Sequence, residues 1–279
     1  YYKSQGDDNY GLNLGKGFSA ISGSSTPYVS KGLNSDRIPG TERHLISLQY
    51  SDSDFLGQEL VGQVYYRDES LRYYPFPTVN ANKQATAFSS SQQDTDQYGI
   101  KLTQNSQQMD GWQNTWPLDA EHQRFTSNQM FFDLAQASAS GGLNTHKIYT
   151  TGRYPSYDIT NLAAFLQSSY DINDIFTVSG GVRYQYTENR VDDFIDYTQQ
   201  QKIATGKAIS ADAIPGGSVD YDNFLFNAGL LMHITERQQA WFNFSQGVAL
   251  PDPGKYYGRG IFGAAVNGLL PLAKLVHVS

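Results

Sequence analysis

The sequence of 279 residues contains no cysteine, which excludes disulfide bonds and thiolate metal sites within it. It also has no run of about 18 apolar residues, the length that a membrane-spanning helix needs. Charged residues make up only 17%, and the 27 Asp and Glu outnumber the 20 Lys and Arg, so the formal net charge is −7. This balance gives no reason to expect nucleic acid as a partner, because phosphate backbones attract basic proteins.

Aromatic residues and glycine, by contrast, are abundant. There are 20 Tyr, 15 Phe and 26 Gly, a mixture that favours strands and turns over helices. The mean hydropathy of −0.49 suits a soluble β protein, but it also suits a transmembrane barrel. Barrel strands cross the bilayer with about 9–11 residues that are apolar at alternate positions, while lumen and loops stay polar. The pattern along the chain therefore has to distinguish these two classes.

Apolar and polar residues alternate repeatedly along the chain. The alternation is clearest in segment 176–187, where Val182 and Tyr184 alternate with Arg183 and Gln185, as in a strand with two unlike faces. Similar segments are 44–50, 60–67, 97–104, 112–120, 224–234 and 240–245, whereas the orientation of 159–170 stays open because it is apolar on both faces in places. In a barrel wall, lipid is expected to contact Phe176, Val178, Val182 and Tyr184, and the lumen to receive Thr177, Ser179, Arg183 and Gln185.

The connections between these segments fall into two length classes. Short links occur at about 52–57, 108–111, 171–174 and 235–238, and long ones run over about 70–93, 126–157 and 191–220. Soluble domains rarely contain several such long loops, whereas outer-membrane barrels combine short periplasmic turns with long extracellular loops. We therefore expect an all-β fold, a partial antiparallel transmembrane β-barrel of about eight or nine strands that does not close. A β-sandwich and a propeller remain alternatives.

Two motifs carry a family resemblance. Segment 240–254 is an aromatic strand that ends in Ser-Gln-Gly, with Pro-Asp shortly after it. The hairpin of 163–167 with 180–184 joins an aromatic-Gln strand to a Gly-rich strand that ends in Arg-Tyr. With these motifs the chain resembles the TonB-dependent outer-membrane siderophore receptors, and most closely the branch that takes up ferric aerobactin. Further matching segments are 1–6, 11–18, 66–72 and 255–260.

The resemblance implies a bacterial outer-membrane receptor that imports ferric aerobactin and also serves as a receptor for cloacin. It implies a barrel of about 22 strands whose lumen is plugged by an N-terminal domain. TonB would supply energy through an N-terminal part outside this chain, and iron would travel as its siderophore chelate, with no cofactor bound by the protein itself. Residues 1–279 are then expected to be one barrel fragment without plug domain, signal peptide or C-terminal strands. Pro117 departs from the pattern, because a proline inside a strand removes a ladder hydrogen bond.

Other functions leave weaker signals. Segment 11–17 is glycine-rich, but it is one residue shorter than a phosphate-binding loop, and no Ser or Thr follows Lys16. Asp119, Glu121 and His122 are of metal-ligating types, yet on a strand His122 would point away from the other two. No Ser/His or Asp/His constellation marks an outer-membrane protease or lipase, so we expect no enzyme activity. A porin, an adhesin, a phage docking surface and a soluble lectin-like domain remain alternatives.

Basic and aromatic residues in the long connections are the candidate ligand contacts. The chelate that the resemblance implies is anionic, so Arg and Lys can bind its carboxylates, and Tyr offers a rigid amphipathic surface. The alternative is that these residues are anchors at the outer-leaflet interface. The candidates are Arg72, Tyr74, Lys147, Arg153, Tyr154, Lys255, Tyr256, Tyr257 and Arg259.

Overall fold

The computed structural model describes residues 2–5, 40–73, 75–81, 85–139 and 146–248. Two short helices in this part of the chain are α1 (Leu134–Ala139) and α2 (Tyr197–Ala204). Neither is long and apolar enough to cross a membrane. The strands are β1 (Tyr2–Gln5), β2 (Gly40–Phe55), β3 (Gln58–Arg72), β4 (Phe76–Val79), β5 (Ala85–Met109), β6 (Trp112–Phe132), β7 (Lys147–Gly152), β8 (Tyr157–Asp171), β9 (Phe176–Val191), β10 (Gly217–Thr235) and β11 (Gln238–Ser245).

These strands form one continuous antiparallel wall. Their order is β1-β2-β3-β5-β6-β8-β9-β10-β11, with β4 added beside β5 and β7 beside β6. Over the described residues the path does not return to its first strand, so the wall is an open part of a barrel. The expected antiparallel all-β fold is confirmed. The sandwich and propeller alternatives would require two packed sheets or separate blades.

Tight hairpin links join the strands at one end of the wall. Between β2 and β3, Leu56 and Gly57 take positive φ angles of 54° and 79°, as two-residue hairpin turns often require of both central residues. Gly111 takes a φ of 77° between β5 and β6. The side-chain oxygen of Asn173 accepts two backbone N–H hydrogen bonds in the β8–β9 link. These links lie where the sequence predicts short turns.

At the other end of the wall, strands are longer than the sequence pattern predicts. The connections expected over about 70–93 and 126–157 are wrong in part, because β5 begins at Ala85 and β6 continues to Phe132. With 25 residues, β5 is about 80 Å long at roughly 3.3 Å per residue, whereas the hydrocarbon core of a bilayer is about 30 Å thick. Residues 89–97 of β5 are all polar, so no apolar alternation marks this part of the strand.

The burial pattern of the wall is the reverse of that in a water-soluble sheet. On β10, Phe224, Phe226 and Leu230 are 61%, 52% and 41% exposed, whereas the alternating Asn223 and Asn227 are half-buried. A soluble antiparallel sheet covers its apolar face and exposes its polar one. The apolar face of this wall is therefore the one that lipid would cover.

The apolar face continues from strand to strand because the register aligns like residues. Leu102 of β5 pairs with Leu118 of β6, which pairs with Ala164 of β8. Ala164 in turn pairs with Tyr184 of β9, and Tyr184 pairs with Phe224 of β10. A slip of one residue would turn the polar face toward lipid, so the hydrophobic pattern specifies this register.

The opposite face carries polar side chains that contact one another. Arg183 lies 3.7 Å from Asp119 of β6 and donates a hydrogen bond to Gln185 on its own strand. Tyr65 of β3 donates to Glu121 of β6 at 2.6 Å. The expected division of β9 into an apolar face and a polar, lumen-type face is confirmed.

Pro117 interrupts one ladder, as the sequence predicts. The β6–β8 ladder skips Trp116 and Pro117, although its register is the same on both sides of them. Pro117 remains paired with Thr103 of β5 on its other side. Because proline has no N–H, only one edge of β6 loses a hydrogen bond.

Candidate functional site

Most of the buried hydrophobic residues that are described lie beyond the apolar band, at the end with the long connections. Phe88, Phe131 and Phe132, at the ends of β5 and β6, are only 1–2% exposed. The rings of Phe88 and Phe132 are 5.9 Å apart, and Phe131 stacks on Tyr149 of β7 at 4.7 Å. Such aromatic pairs contribute about 0.5–1.5 kcal/mol beyond the area they bury. They join β7 and the end of β6 into one platform.

The β9–β10 connection folds back onto this platform. Asp196 caps α2, because its side chain accepts hydrogen bonds from two backbone N–H groups of the first turn. Gln200 then bridges to β7: its Oε1 accepts the N–H of Gly152 at 2.7 Å, while its Nε2 donates to a backbone carbonyl just before the helix. A Cβ on Gly152 would lie 2.8 Å from the ring of Phe194, so this close approach favours glycine.

Arg153, directly after β7, lies at the centre of the candidate site. Its Nη1 donates to Oε1 of Gln129 at 3.1 Å, and this fully buried amide donates in turn to Ser89 at 2.8 Å. The guanidinium carbon lies over the rings of Tyr154 and Tyr197, 5.7 and 5.6 Å from their centroids. No carboxylate among the described residues forms an ion pair with Arg153. The half-buried guanidinium therefore keeps a positive charge that a ligand carboxylate can neutralise.

A second arginine nearby shows the contrasting arrangement. Arg124 of β6, beyond the apolar band, lies 2.7 Å from Asp158 and also donates to Asp192. Hydrogen bonding to Asp192 is the main cause that raises the pKa of Arg124, and Asp158 adds to it. Two carboxylates thus neutralise Arg124, whereas Arg153 has no carboxylate partner among the described residues.

A cleft of about 570 Å³ is lined by Gly152 and Tyr154, the chain neighbours of Arg153, but not by Arg153 itself; its volume lies within the roughly 300–1,000 Å³ typical of small-molecule sites. Tyr154 lines it together with Asp192 and Asp193. Ser127 and Thr151 line it as well, and their buried hydroxyls have no hydrogen-bond partner among the described residues. The charged groups that line the cleft are acidic, so a carboxylate would bind at the guanidinium of Arg153 rather than deep in the cleft.

Of the residues proposed from the sequence, the structure brings together Arg153 and Tyr154. Lys147 lies exposed at the start of β7, at the opposite end of this strand from Arg153. Arg72 ends β3, with Nη2 3.4 Å from the carboxylate of Glu42, and β5 and β6 separate it from β7. The structure therefore does not bring Arg72 to Arg153. The candidates Tyr74, Lys255, Tyr256, Tyr257 and Arg259 lie outside the described residues, as does segment 11–17.

Three residues of the site are absent from the sequence-based candidates: Gln129, Tyr149 and Tyr197. For Tyr197 a signal exists, because Asp196 precedes the helix-forming run Gln-Gln-Gln-Lys and can act as an N-cap. Gln129 and Tyr149 give no such local signal, since their role arises from the pairing of β6 with β7.

The residues of metal-ligating type on β6 have other contacts. Asp119 pairs with Arg183, and Glu121 accepts the hydroxyl of Tyr65. His122 lies on the opposite face, where its Nδ1 is 3.0 Å from the hydroxyl of Thr160. Within the described part of the chain, no group of three or more His, Cys, Asp or Glu side chains could hold a metal ion.

Comparison with known proteins agrees with this architecture. Residues 1–272 match the family described as TonB dependent receptor-like, beta-barrel. The chain is 86% identical over its whole length to the ferric aerobactin receptor of Klebsiella pneumoniae and 81% identical to that of Escherichia coli. A rhizobactin receptor of Rhizobium meliloti (strain 1021) is 43% identical over 260 residues, or 93% of this chain and 35% of the relative. The chain spans 38% of the length of the two aerobactin receptors.

Solved structures share the fold at low sequence identity. The copper transporter OprC superposes with a TM-score of 0.55 at 12% identity, over 79% of this chain and 32% of that one. The unliganded ferric citrate transporter FecA superposes with a TM-score of 0.52 at 16% identity, over 76% of this chain and 28% of that one. With its open antiparallel wall and its match over residues 1–272, the chain belongs to the family of TonB-dependent receptor-like β-barrels.

Proposed function

We propose that this chain is part of a longer outer-membrane receptor for TonB-dependent uptake of ferric aerobactin. Two relatives that match the whole chain at 86% and 81% identity are named ferric aerobactin receptors. The remaining barrel strands, the plug and the TonB contact would lie in other parts of that receptor. The exposed apolar face of the wall would contact outer-membrane lipid. Cloacin is proposed as a further partner on the family resemblance alone.

The structural observation that carries this proposal is the unneutralised guanidinium of Arg153 between Tyr154 and Tyr197. A hydroxamate-citrate chelate of iron is anionic, and a carboxylate binds a guanidinium through charge-assisted hydrogen bonds. The iron would be held by the siderophore's own groups, so the receptor needs no resident cofactor. A contact of this kind contributes about 1.5–3 kcal/mol.

Positive charge at the same end of the wall would also speed ligand capture. Lys147 lies exposed at the start of β7, the strand that leads to Arg153. Exposed charges of this kind change association rates and their salt dependence more than they change contact energy. The other proposed contacts stay predictions; they are Arg72, Tyr74, Lys255, Tyr256, Tyr257 and Arg259.

Substitution of Arg153 by Gln in the full-length receptor tests the proposal. Loss of about 1.5–3 kcal/mol corresponds to a ferric-aerobactin Kd that is roughly 10- to 100-fold higher. The measurement is equilibrium binding of labelled ferric aerobactin to cells, at low and high salt, with barrel insertion checked by surface labelling. We also expect the salt dependence of binding to fall in the variant, because one attractive charge is lost.

Lys202→Gln is the matched control, because Lys202 is exposed on α2 and its removal changes the net charge equally. Its affinity should stay within about twofold of wild type, as for surface changes away from the site. Unchanged affinity and unchanged salt dependence in Arg153→Gln would show that the guanidinium does not contact the chelate. If the protein were a porin or an adhesin instead, wild-type cells would not bind ferric aerobactin either.

A further inference from the structure

Tyr197 reaches Arg153 from a different connection of the chain. It is the first residue of α2, and its ring also lies 6.0 Å from the buried ring of Phe131. The cap of α2 and the hydrogen bond between Gln200 and Gly152 hold this helix against β7. The ring of Tyr197 is therefore positioned by contacts that do not involve the guanidinium itself.

The surroundings of the guanidinium restrict how it can bind a ligand. Arginine has five N–H donors in one plane, and Gln129 accepts a hydrogen bond from one Nη of Arg153. The guanidinium carbon lies over the rings of Tyr154 and Tyr197, so each ring makes a cation–π contact with its charge. The donors that remain lie at the edge, where they match the two oxygens of a planar carboxylate.

Building on the proposed function, we propose that Tyr197 is a specificity-determining residue that makes the Arg153 site select ligands with a free carboxylate. The cation–π contact with its ring, together with the hydrogen bond to Gln129, holds the guanidinium in one place, so that the remaining N–H donors are presented to a ligand carboxylate. A chelate whose free carboxylates are blocked cannot use the charged edge, and it binds more weakly.

The test compares two probes on the full-length receptor: ferric aerobactin, and ferric aerobactin whose free carboxylates have been converted to amides. Wild type should prefer the acid chelate by about 10- to 100-fold, the range expected of one charge-assisted contact. Tyr197→Leu should bind the acid chelate about five- to tenfold more weakly, with the affinity for the amide unchanged. Tyr197→Phe keeps the ring and should therefore keep the preference for the acid chelate.

A double-mutant cycle with Arg153→Gln separates this proposal from the proposed function. In the Arg153→Gln background, Tyr197→Leu should cause no further loss, because the ring acts through the guanidinium. If Arg153→Gln alone leaves affinity unchanged, the proposed ligand contact fails. The role of Tyr197 is overturned by either of two results. In the first, Arg153→Gln weakens binding but Tyr197→Leu does not. In the second, Tyr197→Leu weakens binding equally in the wild-type and the Arg153→Gln backgrounds.

Docking of α2 is checked independently of binding. The amide of Gly152 donates to Gln200, so its protection against hydrogen exchange reports whether α2 stays on β7. If Tyr197→Leu loses this protection, Tyr197→Met replaces it as a ring-free variant with a longer, adaptable side chain. A preference for the acid chelate that falls five- to tenfold with protection intact supports the proposal, and an unchanged preference with protection intact refutes it.

Discussion

Phe226, on the apolar face of β10, allows a direct test of which face of the wall contacts lipid. Its side chain is 52% exposed, so lipid would cover about half of it. Replacing Phe226 by Arg removes about half of the roughly 1.5–3 kcal/mol that burying a Phe side chain contributes, or about 0.8–1.5 kcal/mol. Arginine near the bilayer midplane costs a further 2–4 kcal/mol or so. The expected destabilisation is therefore about 3–5.5 kcal/mol, or roughly two to four decades in the folding equilibrium.

The matched control is Asn223→Arg on the same strand. Asn223 is half-buried and lies on the opposite face from Phe226, so the new charge would enter the polar lumen and should change stability by no more than about 0.5 kcal/mol. Urea unfolding of the full-length receptor in phospholipid vesicles, followed by the gel mobility of unheated samples, measures both variants. Equal urea midpoints for the two variants would refute the assignment of the faces.

Two further substitutions test the packing of the wall and of its outer platform. A Cβ on Gly99 would lie 2.8 Å from the carbonyl oxygen of Ala120, whereas on Gly180 it would lie 3.8 Å from its nearest neighbour. Gly99→Ala should therefore cost about 1–3 kcal/mol and lower the urea midpoint, and an equal effect of Gly180→Ala would contradict this reasoning. Phe131→Ala should destabilise the platform by about 3–5 kcal/mol, seen as faster hydrogen exchange in β7 with the barrel intact. Ile148→Ala, at a 52% exposed position, is its control, and unchanged exchange in Phe131→Ala would show that the platform is held by other contacts.

The membrane part of the wall was predictable because its signal is local. Each strand there meets lipid on one face and a polar lumen on the other, so apolar residues must recur with period two. The alternation of Val182 and Tyr184 with Arg183 therefore predicts both the strand and the direction of its side chains. Short links with glycine, such as the one at Gly57, predict the hairpins for an equally local reason.

The outer parts of the strands could not be predicted in the same way. Residues 89–97 of β5 are polar throughout, because both faces lie outside the hydrocarbon and neither has to be apolar. Their strand conformation comes from long-range pairing with β6 and from the platform around Phe131. Such a strand depends on its neighbours rather than on its own residue pattern, so its sequence alone predicts a loop.

The same difference between local and long-range signals applies to the candidate site. From the sequence alone we predict the class of fold, the two faces of the wall and side chains of types suited to an anionic ligand, among them Arg153 and Tyr154. Long-range packing brings Gln129 to this arginine from 24 residues away, and it brings Gln200 of α2 to Gly152 from 48 residues away. Periodicity is imposed on each strand separately by the lipid and the lumen, whereas a binding site requires side chains from distant segments to meet, and the packing of the whole chain determines which ones do.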